Sequence, residues 1–146
     1  MNKAKDKLTE LRIETTLKDD YLEQMIKLDD ENYSKYDAGV YDLCMSWYNK
    51  NPQIYIMALR GITVVGYINF SPLTDQAYFS YRNGLINDSQ LTENDIEKFY
   101  PNKKHKCIFI SIVVSEKERG GSVTKLLTHY FLDYVKTLKN NKSTIT

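Results

Sequence analysis

The feature that most constrains this chain is a strand-like apolar run that passes through a short glycine turn into a long amphipathic helix. Cys107-Ile108-Phe109-Ile110-Ser111-Ile112-Val113-Val114 is almost continuously apolar over a strand's length, the pattern of a central strand buried on both faces. Ser115 to Glu118 and then Arg119-Gly120-Gly121 interrupt it. From there Val123, Leu126, Leu127, Tyr130, Phe131, Tyr134, Val135 and Leu138 recur at spacings of three and four, which places them on one helical face. Strand, turn and helix in this order set the frame into which the rest of the chain must fit.

Upstream, Leu11-Arg12-Ile13-Glu14-Thr15 alternates apolar and polar residues, the period of a half-buried strand. Lys18-Asp19-Asp20 offers an N-cap, and Leu22, Met25 and Ile26 continue at helical spacing to near Asn32. Val40, Cys44, Trp47 and Tyr48 predict a second helix from Gly39 or Val40 to Asn49, stopped by Asn51-Pro52. Two β-prone runs, 54–59 and 62–70, flank Arg60-Gly61 and predict a hairpin. Asn140-Asn141 ends the long helix, and residues 143–146 begin one more strand. Residues 71–106 carry less pattern: Pro72, Asn83-Gly84, Asn87-Asp88 and Pro101 punctuate them, and Thr92-Glu93-Asn94-Asp95 resembles the cap of a short helix from Thr92 through Phe99. An excursion of this length usually carries function or covers a site.

The chain has 146 residues, which fits one domain spanning 1–146, and shows no repeat, linker or low-complexity segment. With 20 basic against 19 acidic side chains, no global field exists to hold a nucleic-acid backbone. The basic run Lys103-Lys104-His105-Lys106 reads as a solvated loop. Cys44 and Cys107 lack metal-ligand spacing and make no disulfide framework, so no metal is expected and a reducing, cytoplasmic setting fits. No apolar stretch approaches the ~18 residues of a membrane span, and the N-terminus has no apolar leader segment.

The chemistry concentrates at the turn. A helix that starts directly after a strand brings its unpaired first N–H groups to one point, where the helix dipole adds partial positive charge. Gly120 and Gly121 let an anion approach the backbone, and Arg119 could add a charge-assisted contact or pair instead with Glu116 or Glu118. A pyrophosphate suits such a point. The competing reading is a tight turn and nothing more. Dinucleotide and P-loop readings lack their residues, because neither G-x-G-x-x-G nor G-x-x-x-x-G-K is present.

Arg119-Gly120-Gly121-Ser122-Val123-Thr124 resembles the signature of the GNAT superfamily of N-acetyltransferases, Arg/Gln-x-x-Gly-x-Gly/Ala at the start of the helix after the fourth strand. The order of elements agrees over most of the chain, including the Gly61 hairpin with Val64-Val65-Gly66-Tyr67-Ile68. The resemblance implies an α/β (α+β) fold with a mixed, mostly antiparallel central sheet flanked by helices. It implies acetyl-CoA as co-substrate, with the pyrophosphate on Arg119, Gly120, Gly121, Ser122, Val123 and Thr124, and the backbone of Ile112, Val113 and Val114 paired with pantetheine. The activity it implies is acetyl transfer to a primary amine of a small molecule or a protein.

Two departures keep a second reading open. Ser122 and Thr124 stand where the family has Gly or Gly/Ala, and the family continues after its fifth strand with a helix and two strands, whereas this sequence ends at Thr146. The alternative is a catalytically silent or truncated GNAT-like module acting through protein contacts, and an exposed last strand would favour a homodimer. No catalytic residue follows from the resemblance: the family's Tyr acid belongs to the missing part, and its Glu base aligns with Lys106 or Cys107. Ser111 and Cys107 read as packing residues, His129 as a boundary residue, and Glu116 and Glu118 as surface carboxylates.

Overall fold

In the computed structural model, residues 10–32, 40–140 and 144–145 are described. The hairpin expected around Gly61 forms the middle of the sheet, with β2 (Tyr55–Arg60) antiparallel to β3 (Thr63–Leu73). Gly61 has φ 61°, the left-handed conformation that a tight turn requires and glycine adopts without strain. On one side β1 (Leu11–Glu14) pairs antiparallel with β2; on the other β4 (Lys104–Val114) pairs antiparallel with β3. β5 (Thr144–Ile145) lies parallel to the start of β4, through Lys104↔Thr144 and His105↔Ile145. The sheet is five-stranded in sequential order, mixed and mostly antiparallel, as the family resemblance implied.

Side chains alternate along β2 and divide the interior into two layers. Tyr55, Met57 and Leu59 pack with Leu22 and Met25 of α1 (Asp19–Asn32) and with Trp47 of α2 (Val40–Lys50). Ile56 and Ala58 pack on the opposite face, against Val123, Leu127 and Leu138 at the C-terminal end of the chain.

The punctuated segment contains more structure than its pattern announces. β3 runs on to Leu73, and α3 (Asp75–Arg82) follows, its first turn capped by the Thr74 hydroxyl, which accepts the Ala77 N–H at 3.2 Å. The helix expected over 92–99 is a single 3₁₀ turn, Glu93–Asp95. Thr92 does cap it, but the sheet captures the chain immediately afterwards. Ile96 bridges Leu73 with its side chain 1% exposed, and the Glu97 N–H donates to the Pro72 carbonyl at 2.9 Å.

The basic run is also not a solvated loop. Lys104 and His105 open β4, His105 is fully buried, Lys103 pairs with Glu97 at 2.8 Å, and Lys106 meets Asp75 at 3.4 Å. Phe70 pairs with Phe109 and Asn69 with Ser111, so β4 carries one extra residue, Ile110, as a β-bulge. Before the bulge, Cys107 and Phe109 face the layer of the last helix; after it, Ser111 and Val113 face α1 and α2. Buried on both faces is therefore true of only part of this strand, because Phe109 is 44% and Ile112 41% exposed.

Candidate active site

β4 leads through a 3₁₀ turn, Glu116–Glu118, into α4 (Ser122–Asn140). The connection is tied down residue by residue. The Ser115 N–H donates to the carbonyl of Val65 at 2.8 Å, the Glu118 N–H to Ser115 at 2.9 Å, and the Gly121 N–H to Glu118 at 3.3 Å. Glu118 also receives Arg60 from the end of β2, Nε to Oε1 at 2.7 Å and Nη2 to Oε2 at 3.3 Å. Gly120 has φ 71°, and nothing lies within 4 Å of where a Cβ would stand. The turn therefore needs glycine there for its backbone angle, and the space beside it is open.

The position of α4 is set from below by Gly66 in β3. A methyl group on Gly66 would stand 2.9 Å from Val123 Cγ1 and 3.1 Å from both Leu127 Cδ1 and the Val113 carbonyl. The bare backbone lets the first turns of α4 sit down on the sheet, with Val123 and Leu127 fully buried. The N–H groups of Ser122, Val123 and Thr124 lie in that first turn, where no preceding helical carbonyl reaches them.

The six signature residues are thus brought together, with one difference from expectation: the Gly121 N–H is engaged within the turn and is not presented outward. Arg119, Gly120 and Ser122 are exposed, and Glu118, one expected partner of Arg119, is held by Arg60 instead. Ile112, Val113 and Val114 pair with Ile68, Tyr67 and Gly66 on one side. On the other side β5 reaches only Lys104 and His105, so among the described residues this stretch of β4 has an open edge running to the turn.

Across the sheet from α4 lies a cavity of about 440 Å³, walled by α1, α2, β3, β4 and the 3₁₀ turn Asp88–Gln90. Its polar lining includes Asp29, Tyr67, Asn69, Asp88, Ser89 and Ser111, and its apolar lining includes Leu22, Met25, Leu43 and Trp47. Burial pushes the Tyr67 hydroxyl's pKa well up, the nearby Asp29 carboxylate adds to the rise, and a hydrogen bond with Ser111 opposes it. Tyr67 therefore stays a neutral phenol that can donate a proton to a hydrogen bond. Cys44, also in the wall, is pushed up to about 11 by burial, so its thiol stays protonated.

Sequence reasoning missed Asp29, Tyr67 and Asn69, which come from elements far apart in the chain, and took Ser111 as packing. The available signal was Asn69 within a mostly apolar strand. Cys107 is pushed up to about 12 by burial and belongs to the aromatic layer beneath α4, with His105 beside Phe99; neither touches the cavity. His129 is exposed. Among the described residues no group of three or more His, Cys, Asp or Glu could hold a metal ion, and no helix is long and apolar enough to cross a membrane.

No family model matches the sequence, and none of the curated proteins does. Solved structures match in shape. A GCN5-related N-acetyltransferase from Kribbella flavida superposes with a TM-score of 0.53 at 12% identity, over 88% of this chain and 28% of that one. Ard1 from Thermoplasma volcanium gives 0.52 at 10% identity, over 91% of this chain and 66% of its own. A GNAT family acetyltransferase from Brucella melitensis in complex with acetyl-CoA gives 0.50 at 11% identity, over 90% and 70%. The chain spans less than two thirds of the first two structures, and identities this low speak to architecture alone. With its sequential mixed sheet, bulged fourth strand and glycine turn beneath a long helix, this chain has a GNAT-like fold.

Proposed function

We propose that this chain is an N-acetyltransferase domain spanning 1–146, moving an acetyl group from acetyl-CoA to a primary amine. The observation that carries this reading is the junction of β4 and α4: a strand edge that is open among the described residues and ends at a positive-φ glycine and a helix N-terminus, with a polar cavity on the other side of the same strand. The N–H groups of Ser122, Val123 and Thr124, with Arg119 beside them, would hold the pyrophosphate. Gly120 and Gly121 would give it room, and Ile112, Val113 and Val114 would run beside pantetheine. Acetyl-CoA supplies an activated acyl group: the amine lone pair forms the C–N bond as the C–S bond breaks, and the nitrogen's proton leaves with the thiol. The chain's own contribution is to hold the two reactants on either side of β4, so that proximity and orientation supply much of the acceleration. The complex of the Brucella melitensis neighbour with acetyl-CoA supports this choice of co-substrate. Two free cysteines suit a cytoplasmic setting, and a homodimer belongs to the same reading, to be tested by light scattering at high concentration.

Calorimetric titration of the folded chain with acetyl-CoA tests the proposal. Desulfo-CoA should bind comparably because it keeps the pyrophosphate and pantetheine, and ATP should bind more weakly. Gly120→Val forces a β-branched residue to positive φ, a strain of about 1–3 kcal/mol, and should weaken CoA binding about tenfold or more. The engaged Gly121 N–H and the side chains of Ser122 and Thr124 favour a second reading, a catalytically silent module acting through protein contacts. A folded chain that fails to bind acetyl-CoA would move the conclusion there.

A further inference from the structure

We infer that the cavity between α1, α2 and the sheet receives the acceptor as a small organic cation, a primary ammonium on an apolar body; the acceptor role rests on the acyl-transfer reading above, in which the bound ammonium first releases one proton to solvent and the resulting amine lone pair attacks. Asp88 and Asp29 are the charged groups among its described lining residues and both are acidic, Asp88 exposed at the rim and Asp29 hydrogen-bonded with the Tyr67 hydroxyl, and no Lys, Arg or His is among them. A cation entering a partly enclosed space loses some of its hydration, and carboxylates beside it offset that loss where basic side chains would add to it.

A second observation is independent of charge. Asn69 lines the cavity at 3% exposure, and its amide is engaged at one end only, where Oδ1 accepts the Ser71 hydroxyl at 3.4 Å. The other end has no hydrogen-bond partner among the described residues. The Ser71 hydroxyl both donates and accepts, so the amide can turn and present Oδ1 to an ammonium N–H. Tyr67 and Ser111 add hydroxyl oxygens on the same face of the sheet. A buried polar group facing open space is costly unless something pairs with it.

The body of the ligand is specified by Leu22, Met25 and Trp47, which bring apolar surface from both helices. A volume of about 440 Å³ lies in the range of small-molecule sites. Ser111 sits directly after the bulged Ile110, so a bound amine would lie against the stretch of β4 whose outer edge is open.

Trp47 is the chain's single tryptophan and lines the cavity, so its emission, excited where tyrosine is silent, reports occupancy without any acetyl-CoA. The probe is 2-phenylethylamine, compared with 2-phenylethanol, 3-phenylpropionate and a short peptide with a free N-terminus. The expected result is a saturable change with the amine, at least about tenfold tighter than with the alcohol or the acid. Asn69→Leu and the surface change Asp88→Asn should each weaken it about threefold or more, with acetyl-CoA titration unaltered. Asp88→Asn keeps the test decisive should Asn69→Leu fail to fold. No saturable change, equal binding of the alcohol, or tighter binding of the peptide would overturn the assignment. Acetyl transfer to amines that leave Trp47 undisturbed would overturn it while leaving the proposed function intact. Amine binding without transfer would keep the cation site and remove its acceptor role.

Discussion

On the α4 side of the sheet, polar atoms are sealed in; on the α1–α2 side, they face space. Beneath α4, the Tyr134 hydroxyl and His105 Nδ1 are buried without a hydrogen-bond partner among the described residues, packed against the ring of Phe99. His105 is held from its other nitrogen, where the Tyr100 N–H meets Nε2 at 3.0 Å. Across the sheet, Tyr67, Asn69 and Ser111 line a cavity of about 440 Å³. A sheet can thus use one face as a foundation and the other as a vessel. The α4 face fixes where the helix N-terminus points, and the opposite face leaves polar groups facing a cavity.

Several substitutions would break or sharpen this contrast. The largest effect is expected from Gly66→Val, which drives side-chain atoms into Val123, Leu127 and the Val113 carbonyl. Overpacking of this kind costs about 3 kcal/mol, and urea denaturation should show it together with loss of CoA binding. Unchanged stability would mean that α4 is not seated as tightly as the distances imply. Glu118→Gln removes the charge from a half-buried pair with Arg60 and should lower stability by about 1 kcal/mol. If the pair holds the turn, calorimetry will also show weaker CoA binding, while amine binding at Trp47 stays unaltered.

Tyr134→Phe should move stability the other way. Removing a hydroxyl that has no partner among the described residues relieves a desolvation penalty, and a gain of about 1 kcal/mol is expected; a loss on thermal melting would show that the hydroxyl is satisfied in solution. The smallest effect belongs to neither face. Glu14, on edge strand β1, accepts the N–H groups of Thr16 at 2.9 Å and Thr15 at 3.0 Å. Its pKa is lowered first by the Thr16 bond, opposed by burial and helped by Arg12. A carboxyl whose folded pKa lies below its unfolded one contributes stability above the ordinary carboxylate range and loses it as pH falls through the lowered value. Glu14→Gln should therefore flatten the acid limb of the stability profile slightly and leave both ligand titrations alone.

The order of elements and the turn were legible because they rest on local pattern. The 3.6-residue period of α4, the alternation of β1 and the glycine between β2 and β3 need no tertiary information. Residues 92–99 were not, because Thr92 caps a helix or a single turn equally well and only the bridge from Ile96 to Leu73 decides between them. α3 was missed although Thr74-Asp75 and Asn83-Gly84 bracket it, since exposed Gln76, Phe79 and Arg82 leave little amphipathic contrast. The turn half of the candidate site was visible as contiguous residues. The cavity half was not, because Asp29, Tyr67, Asn69 and Ser111 meet only after the strands pair. β4 read as buried on both faces because the bulge at Ile110 reverses its alternation, and a reversed alternation is indistinguishable in the sequence from a continuous apolar run.

That bulge also gives β4 one residue more than its alternation needs. Ile110 and Ser111 both face the α1–α2 side, between Phe109 and Ile112 on the α4 side. Deleting Ile110 would change no polar residue and remove no charge, and it would return the strand to an unbroken two-residue rhythm with Phe109, Ser111, Ile112 and Val113 still on the faces they now occupy. What the extra residue supplies is the bend and added twist that a bulge puts into a strand, so its loss would straighten β4 between its aromatic half and the half that leads from Ser111 to the turn.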